Sequence, residues 1–286
     1  MRRLIRLLSS PLSLFSSILG RYLVDDWGVE KMADAIKAQT LEFDEAAVLA
    51  GTQHPADDQG SFERRDILGV HPQRQEGYSW AGVCVPAGRL TIEDMRQLAR
   101  LSEEYGRGEL RLTVEQNIVI PHIPNDRVAA LSEDLLWATS AMSLAPGPLM
   151  RGLVSCTGAQ FCPVAIIETK NRALEVTRLL EERLEVPSMV RMHWTGCPNS
   201  CGVPQIADIG MMGAPAKKVD PETGKKMAVS GCNIFAGGTI GEGAGFGDIE
   251  SKAVPTEIED IVPALAEMLV ANHGASYRKE WTRKSV

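Results

Sequence analysis

Four of the six cysteines lie in one stretch, SCTGAQFCPVAIIETKNRALEVTRLLEERLEVPSMVRMHWTGCPNSCG, running from Ser155 to Gly202. Cys156 and Cys162 are spaced C-x5-C and Cys197 and Cys201 C-x3-C, with Pro163 and Pro198 directly after Cys162 and Cys197. Four thiolates from two tight turns suit a soft metal centre, and iron–sulfur clusters are held by cysteine. A short pair places two ligands in one turn with little loop entropy to lose. Proline after a ligand fixes φ and removes an N–H donor, which shapes the turn carrying the sulfur. Structural zinc prefers C-x2-4-C, a spacing only the second pair meets. Disulfides are the next alternative, but no secretion signal is evident and reducing compartments disfavour them. Buried, inert thiols are the blandest alternative and do not normally cluster in this way. Spacing alone ranks iron–sulfur first and leaves the others open.

The segments CTGAQFC, IIETK and MHWTGCPNSCG resemble the sirohaem and [4Fe-4S] signature of the ferredoxin-dependent nitrite reductases, within the nitrite/sulfite reductase family. Sulfite reductases share both spacings; the wording around them here is closer to the nitrite branch. The resemblance runs from about Trp27 to about Gly274, roughly the C-terminal half of such a protein. It implies that Cys156, Cys162, Cys197 and Cys201 bind a [4Fe-4S] cluster and that Cys201 is also the axial ligand of sirohaem iron. By the same comparison, Asn199 can hydrogen-bond sulfur or the macrocycle. The implied reaction is the six-electron reduction of nitrite to ammonia, in nitrate assimilation, with reduced ferredoxin as donor. Two alternatives are carried beside it: a non-catalytic iron–sulfur chain needing a partner half, and assimilatory sulfite reduction.

The 286 residues are 44% apolar and 23% charged, with net charge −7, which is ordinary globular composition. The acidic balance argues against general nucleic-acid binding. Six cysteines are too few for a disulfide scaffold, and no run approaches the ~20 apolar residues that span a bilayer. Met1–Arg21 holds Arg2, Arg3, Arg6 and Arg21, five serines and no acid. That is transit-peptide composition, predicting the plastid stroma, or the cytoplasm if the segment is a misread start. Tyr22–Lys37 reads as a helix with Trp27, Met32 and Ile36 as apolar candidates, and Ala50–Phe62, with His54, as a loop.

These elements predict an α+β protein: one ferredoxin-like half-domain over residues 63–125, then a sirohaem/[4Fe-4S] α/β domain over 148–275 and a basic tail from 276. Ser79–Val85 reads as a strand. Thr91 reads as a helix N-cap, followed by an apolar stripe of Ile92, Met95, Leu98 and Leu101, with Gly106 as the stop. Leu110, Leu112 and Val114 alternate as a strand continued by Ile118–Ile120 and ended by Pro121. HPQRQEGYSWAGVCVPAGRL and LRLTVEQN resemble the second of the family's two ferredoxin-like copies, and no first copy is found upstream. The resemblance assigns anion and macrocycle contacts to basic residues of the first copy. Here Arg74, Arg89 and Arg111 are the basic candidates, with Gln116 and Asn117 as macrocycle-facing ones. After Cys162 a helix is expected with the stripe Ala173, Val176, Leu180 and Leu184, its N-terminus aimed at the cluster. Val190–Trp194 and Gln205–Met212 read as strands, Trp194 as core and His193 as a structural histidine. Asp220–Lys225 reads as a turn, Cys232 as buried, Gly237–Gly247 as a loop against a flat cofactor, and Ile258–Asn272 as the last helix. Arg278, Lys279, Arg283 and Lys284 are read as a solvated tail that can attract an acidic ferredoxin.

Overall fold

The computed structural model describes residues 66–282 apart from 221, 222 and 242, together with 27, 28, 30, 31 and 34. Two compact units divide the chain, Met1–Glu63 and Arg64–Val286. In the first, the described residues are helical, and Lys31 Nζ sits 5.0 Å from the Trp27 ring centroid. The expectations for Met1–Arg21, Met32, Ile36, the Ala50–Phe62 loop with His54, Arg283 and Lys284 lie outside the described residues.

The second unit holds two main sheets. β1 (Gly69–Pro72), β2 (Tyr78–Val83), β3 (Arg111–Leu112) and β4 (Ile118–Pro124) form an antiparallel sheet in the order β1-β2-β4-β3. Helix α1 (Ile92–Tyr105) packs on it, and short helices α2 (Val128–Ser132) and α3 (Leu136–Thr139) follow. Thr91 and Asp94 close a reciprocal capping box that starts α1, and Gly106 ends it. The face α1 buries is Leu98, Leu101, Ser102 and Tyr105. Ile92 and Met95, expected in that stripe, are exposed, because the sheet covers only the later turns.

The expected strand from Leu110 onward is instead a hairpin. β3 runs back antiparallel to β4 through a turn in which Gln116 adopts φ 65°. Leu112 and Val114 are 82% and 98% exposed, so their alternation marks no core face. Pro121 lies inside β4.

Asp134 ties α1 to the later helices. Arg100 donates to both its oxygens, at 3.1 and 2.8 Å, and Tyr105 Oη and the Leu136 N–H donate at 3.1 and 3.0 Å. Chiefly through Arg100, and against the effect of burial, these donors hold its carboxyl below the usual carboxylate range. Stability from this cluster is therefore present at neutral pH and lost as pH falls from about 3.9 through the lower folded-state value. Urea unfolding of wild type and Asp134→Asn from about pH 7 to about pH 3 is expected to show their difference shrinking in acid; a constant difference would refute the assignment.

The second sheet is mixed, in the order β10-β9-β8-β7-β5. β5 (Leu153–Ser155), β7 (Met192–Thr195) and β8 (Ile209–Val219) run parallel; β9 (Lys226–Ala236) and β10 (Asp248–Pro255) add antiparallel. α4 (Lys170–Arg183) and α5 (Ile258–Asn272) pack against each other, and their buried faces join the core cluster of this sheet. β6 (Leu184–Glu185) pairs with β11 (Ser276–Tyr277). Leu184, expected at the end of the α4 stripe, is buried as the first residue of β6. Met192, His193 and Trp194 of β7, and Arg191 just before it, are all buried. A parallel strand between two neighbours is covered on both faces. The expected strand from Gln205 starts at Ile209, after a 3-10 turn over Pro204–Ile206. Asp220 and Lys225 close the β8–β9 hairpin, and Cys232 is fully buried.

Candidate metal centre

β5 ends one residue before Cys156, and hydrogen bonds to its N–H, carbonyl and sulfur fix that cysteine. Its N–H donates to the Trp194 carbonyl at 3.0 Å, its carbonyl accepts from Thr169 Oγ1 at 2.7 Å, and its Sγ accepts from the Gly196 N–H at 3.1 Å. The loop to the next cysteine closes when the Cys162 N–H donates to the Gly158 carbonyl at 2.9 Å. Gly158 has φ +72°, and a Cβ there would lie 2.3 Å from Thr169 Oγ1.

β7 leads into the second turn. Within it the Ser200 N–H reaches the Cys197 carbonyl at 3.3 Å, and the Val203 N–H reaches the Ser200 carbonyl at 2.8 Å. Ser200 and Val203 are both left-handed, at φ 57° and 48°. For a β-branched valine that is a strained conformation, which the surroundings must hold. Gln205 Nε2 donates to Ser200 Oγ at 2.8 Å, and His193 Nδ1 donates to the Val203 carbonyl at 3.2 Å. The second is a hydrogen bond of the kind expected of a structural histidine.

Gly196 joins the two turns. Besides its N–H on Cys156, its carbonyl accepts from Ile166 and Ile167 at 2.7 and 3.3 Å. Gly213 on β8 presses from behind: a Cβ there would stand 2.2 Å from the Gly196 carbonyl. Gly213→Ala is expected to cost about 1–3 kcal/mol and to weaken metal retention, because only backbone can yield. Urea unfolding and bound iron would check it, and unchanged values in both would refute it.

Each turn carries two of the four predicted thiols, and the Gly196 N–H beside Cys197 links the turns at the Cys156 sulfur. Partial burial pushes the Cys201 thiol up, and Cys156, Cys197 and Cys162 add to the push. Among the described residues, no three His, Cys, Asp or Glu side chains gather as a site for a single ion. Each thiolate of a cubane binds its own iron, so it needs no shared point. The donor set, soft thiols with a backbone N–H on one sulfur, fits such a cluster. Asn199 is exposed between the second pair. Cys84 and Cys232 are buried elsewhere, and burial pushes each thiol up to about 12.

Several expectations need correction. Two N–H groups in the first turn of α4, those of Asn171 and Arg172, are not turned on sulfur; Glu168 accepts from them at 3.1 and 2.8 Å. Gln116 spends its amide on Ser155, donating to its carbonyl at 2.7 Å and accepting from its N–H at 3.1 Å. Asn117 Oδ1 accepts from the Val85 N–H at 3.0 Å. Neither amide faces outward to a macrocycle, because each serves as backbone partner inside the fold. Arg111 pairs with Glu109 at 2.6 Å, Arg89 donates to Gln160 and Asn171, and Arg74 is exposed. Arg278 pairs with Glu185 at 3.8 Å. Sequence reading missed Gly196, Thr169 and the Gln116–Ser155 clip; only the glycine beside a cysteine was a visible signal.

The loop Gly237–Gly247 is tied to the strand ends near the second turn. Its N–H groups at Gly237, Gly238 and Gly247 donate to Asp208, Ala207 and Gln205 carbonyls at 3.1, 3.0 and 2.7 Å. Arg191, buried immediately before β7, donates to the Gly238 carbonyl and pairs with Asp208 at 3.5 Å. Around the cysteine turns Phe161, Val164, Ile166 and Val203 stay exposed.

The described fold is thus an antiparallel half-domain followed by a mixed sheet with two cysteine turns at the ends of its parallel strands. The chain belongs to the nitrite and sulfite reductase family: residues 71–136 match its ferredoxin-like half domain and residues 147–283 its 4Fe-4S domain. A chloroplastic ferredoxin–nitrite reductase of Zea mays is 54% identical over 76% of this chain and 37% of its own length. A ferredoxin–nitrite reductase of Synechococcus elongatus is 44% identical over 90% of this chain and 47% of its own. The chain therefore spans less than half the length of these relatives. The solved NirA protein of Mycobacterium tuberculosis aligns with TM-score 0.69 and 25% identity, over 92% of this chain and 46% of that one. A dissimilatory sulfite reductase I shares the fold at TM-score 0.53 and 14% identity, over 68% of this chain and 62% of that one.

Proposed function

We propose that this chain carries the [4Fe-4S] cluster and sirohaem of a ferredoxin-dependent nitrite reductase and serves the six-electron reduction of nitrite to ammonia in nitrate assimilation. The observation that carries the reading is the meeting of two cysteine turns at Gly196, with a backbone N–H on the Cys156 sulfur at 3.1 Å. In this reading Cys156, Cys162, Cys197 and Cys201 would hold the cluster, and Cys201 would also hold the sirohaem iron. When bound, the two groups supply electron storage and the iron at which the anion is reduced.

The chain's own residues position and tune. The Gly196 N–H draws charge from the Cys156 sulfur. Gln205 anchors Ser200 between the second pair of cysteines, and His193 anchors the left-handed Val203 just after it. Asn199, exposed within that turn, has an amide free to approach sulfur or the macrocycle edge. Reduced ferredoxin as donor, nitrite as substrate and a plastid compartment are supported by the names of the relatives. The boundaries 63–125 and 148–275 are proposed for the two domains. Among the described residues no helix is long and apolar enough to cross a membrane.

The test is reconstitution of the full chain with iron, sulfide and sirohaem, followed by its visible spectrum and a nitrite assay with reduced ferredoxin or a dye. Cluster and sirohaem absorption with ammonia formation is expected. The exposed Phe161 and Val164 beside the cysteines favour a second reading, in which this chain binds the cluster but needs a separate half for turnover. Cluster absorption without turnover would support that reading, and a chain that takes up no cluster would end both. Competing sulfite against nitrite decides the substrate.

A further inference from the structure

We infer that Lys170 is an electrostatic tuning residue: a fixed positive charge beside the Cys156 turn that favours the reduced form of the cluster. The inference rests on the cluster reading above. Lys170 is the first residue of α4, and its ammonium is half-buried between the 3-10 turn Pro86–Gly88 and the end of β5. Nζ donates to the Ser155 carbonyl at 3.2 Å, one peptide from Cys156, and to the Ala87 carbonyl. Ala87 is itself fully buried and left-handed at φ 50°, so that acceptor does not swing away. Two carbonyls, one from the 3-10 turn Pro86–Gly88 and one from the end of β5, thus pin the charge in place.

What the protein omits is a counter-ion. Among the described residues no ion pair includes Lys170. Glu168, the nearby carboxylate, is engaged by the Asn171 and Arg172 N–H groups, and Arg89 adds a second positive charge close by. A half-buried cation held only by carbonyl dipoles is under-compensated, and burying charge without compensation is costly. Burial and Arg89 accordingly lower the Lys170 pKa, while Cys156 and Glu168 oppose them. An anionic cluster at the cysteine turns supplies the missing compensation. Its negative charge grows when it takes an electron, so attraction to Lys170 is stronger in the reduced state and the potential rises.

The bland alternative is that Lys170 merely staples Ala87 to Ser155. Three variants of the reconstituted full chain separate the two: Lys170→Gln keeps a donor without charge, Lys170→Met removes both, and Lys170→Arg keeps the charge. Midpoint potentials come from mediated redox titration, following the paramagnetic signal of the reduced cluster. The Gln and Met variants are expected to shift to more negative potential, with Arg close to wild type. An unshifted Gln variant overturns the inference, even if Met shifts, because the effect would then belong to lost hydrogen bonds. An Arg variant shifted as far as Gln overturns it too. Should Met fail to fold, Gln and Arg still decide. A wild-type chain that takes up no cluster overturns this inference together with the reading beneath it; a cluster with an indifferent potential overturns the inference alone.

Discussion

Alanine at any one of Cys156, Cys162, Cys197 or Cys201 is expected to remove most of the iron and the broad visible absorption from the reconstituted chain, whereas Cys84→Ala and Cys232→Ala keep both. The contrast follows from where the six thiols sit. A cluster binds thiolate, so a ligand must reach the metal as well as lose its proton. Cys232 is buried in the sheet core with nothing charged beside it, and Cys84 is buried with its Sγ near the Met150 carbonyl. Burial pushes both thiols up to about 12, far from ionisation at neutral pH. The other four lie on two turns tied at Gly196. Losing one of four corners leaves an iron without its protein ligand, and the remaining three hold a labile cluster. Iron per chain and the visible spectrum are the measurements. Full iron content in any of the four, or equal loss in all six, would refute the assignment.

Trp194→Ala is expected to destabilise the fold by about 3–5 kcal/mol, the range for truncating a fully buried aromatic. Trp194 has no exposed surface and stands on β7 between Ser155 of β5 and Met211 of β8. The hole would open in the middle of the larger core, where both sheet faces are covered and little can collapse into it. The same residue also supports the metal turns through its backbone. Its carbonyl accepts from the Cys156 N–H, and a Cβ at Gly202 would lie 2.2 Å from it. Urea unfolding should therefore show a lower midpoint, and a chelator should strip iron faster from the variant. Trp194→Phe, which fills most of the volume, should lose much less. A midpoint within error of wild type in Trp194→Ala would show that the strand repacks, against the picture of a rigid seat for the cysteines.

What the residues settle alone is whatever depends on near neighbours. Thr91 and Asp94 announce the start of α1 because an N-cap is a contact over three positions. Ile258–Asn272 shows its periodicity within one helix, and C-x5-C with C-x3-C places each pair of thiols in a single turn. Tertiary structure decided whatever depends on what lies opposite. Ile92 and Leu112 carry the same apolar signal as Leu98 and Ile118, yet only the second two are covered, since a pattern names a face and not its partner. The backbone N–H on the Cys156 sulfur comes from forty residues away, and Gln116 reaches Ser155 across thirty-nine. No local propensity encodes such pairs; they exist because two parallel strands and a hairpin are folded against one another.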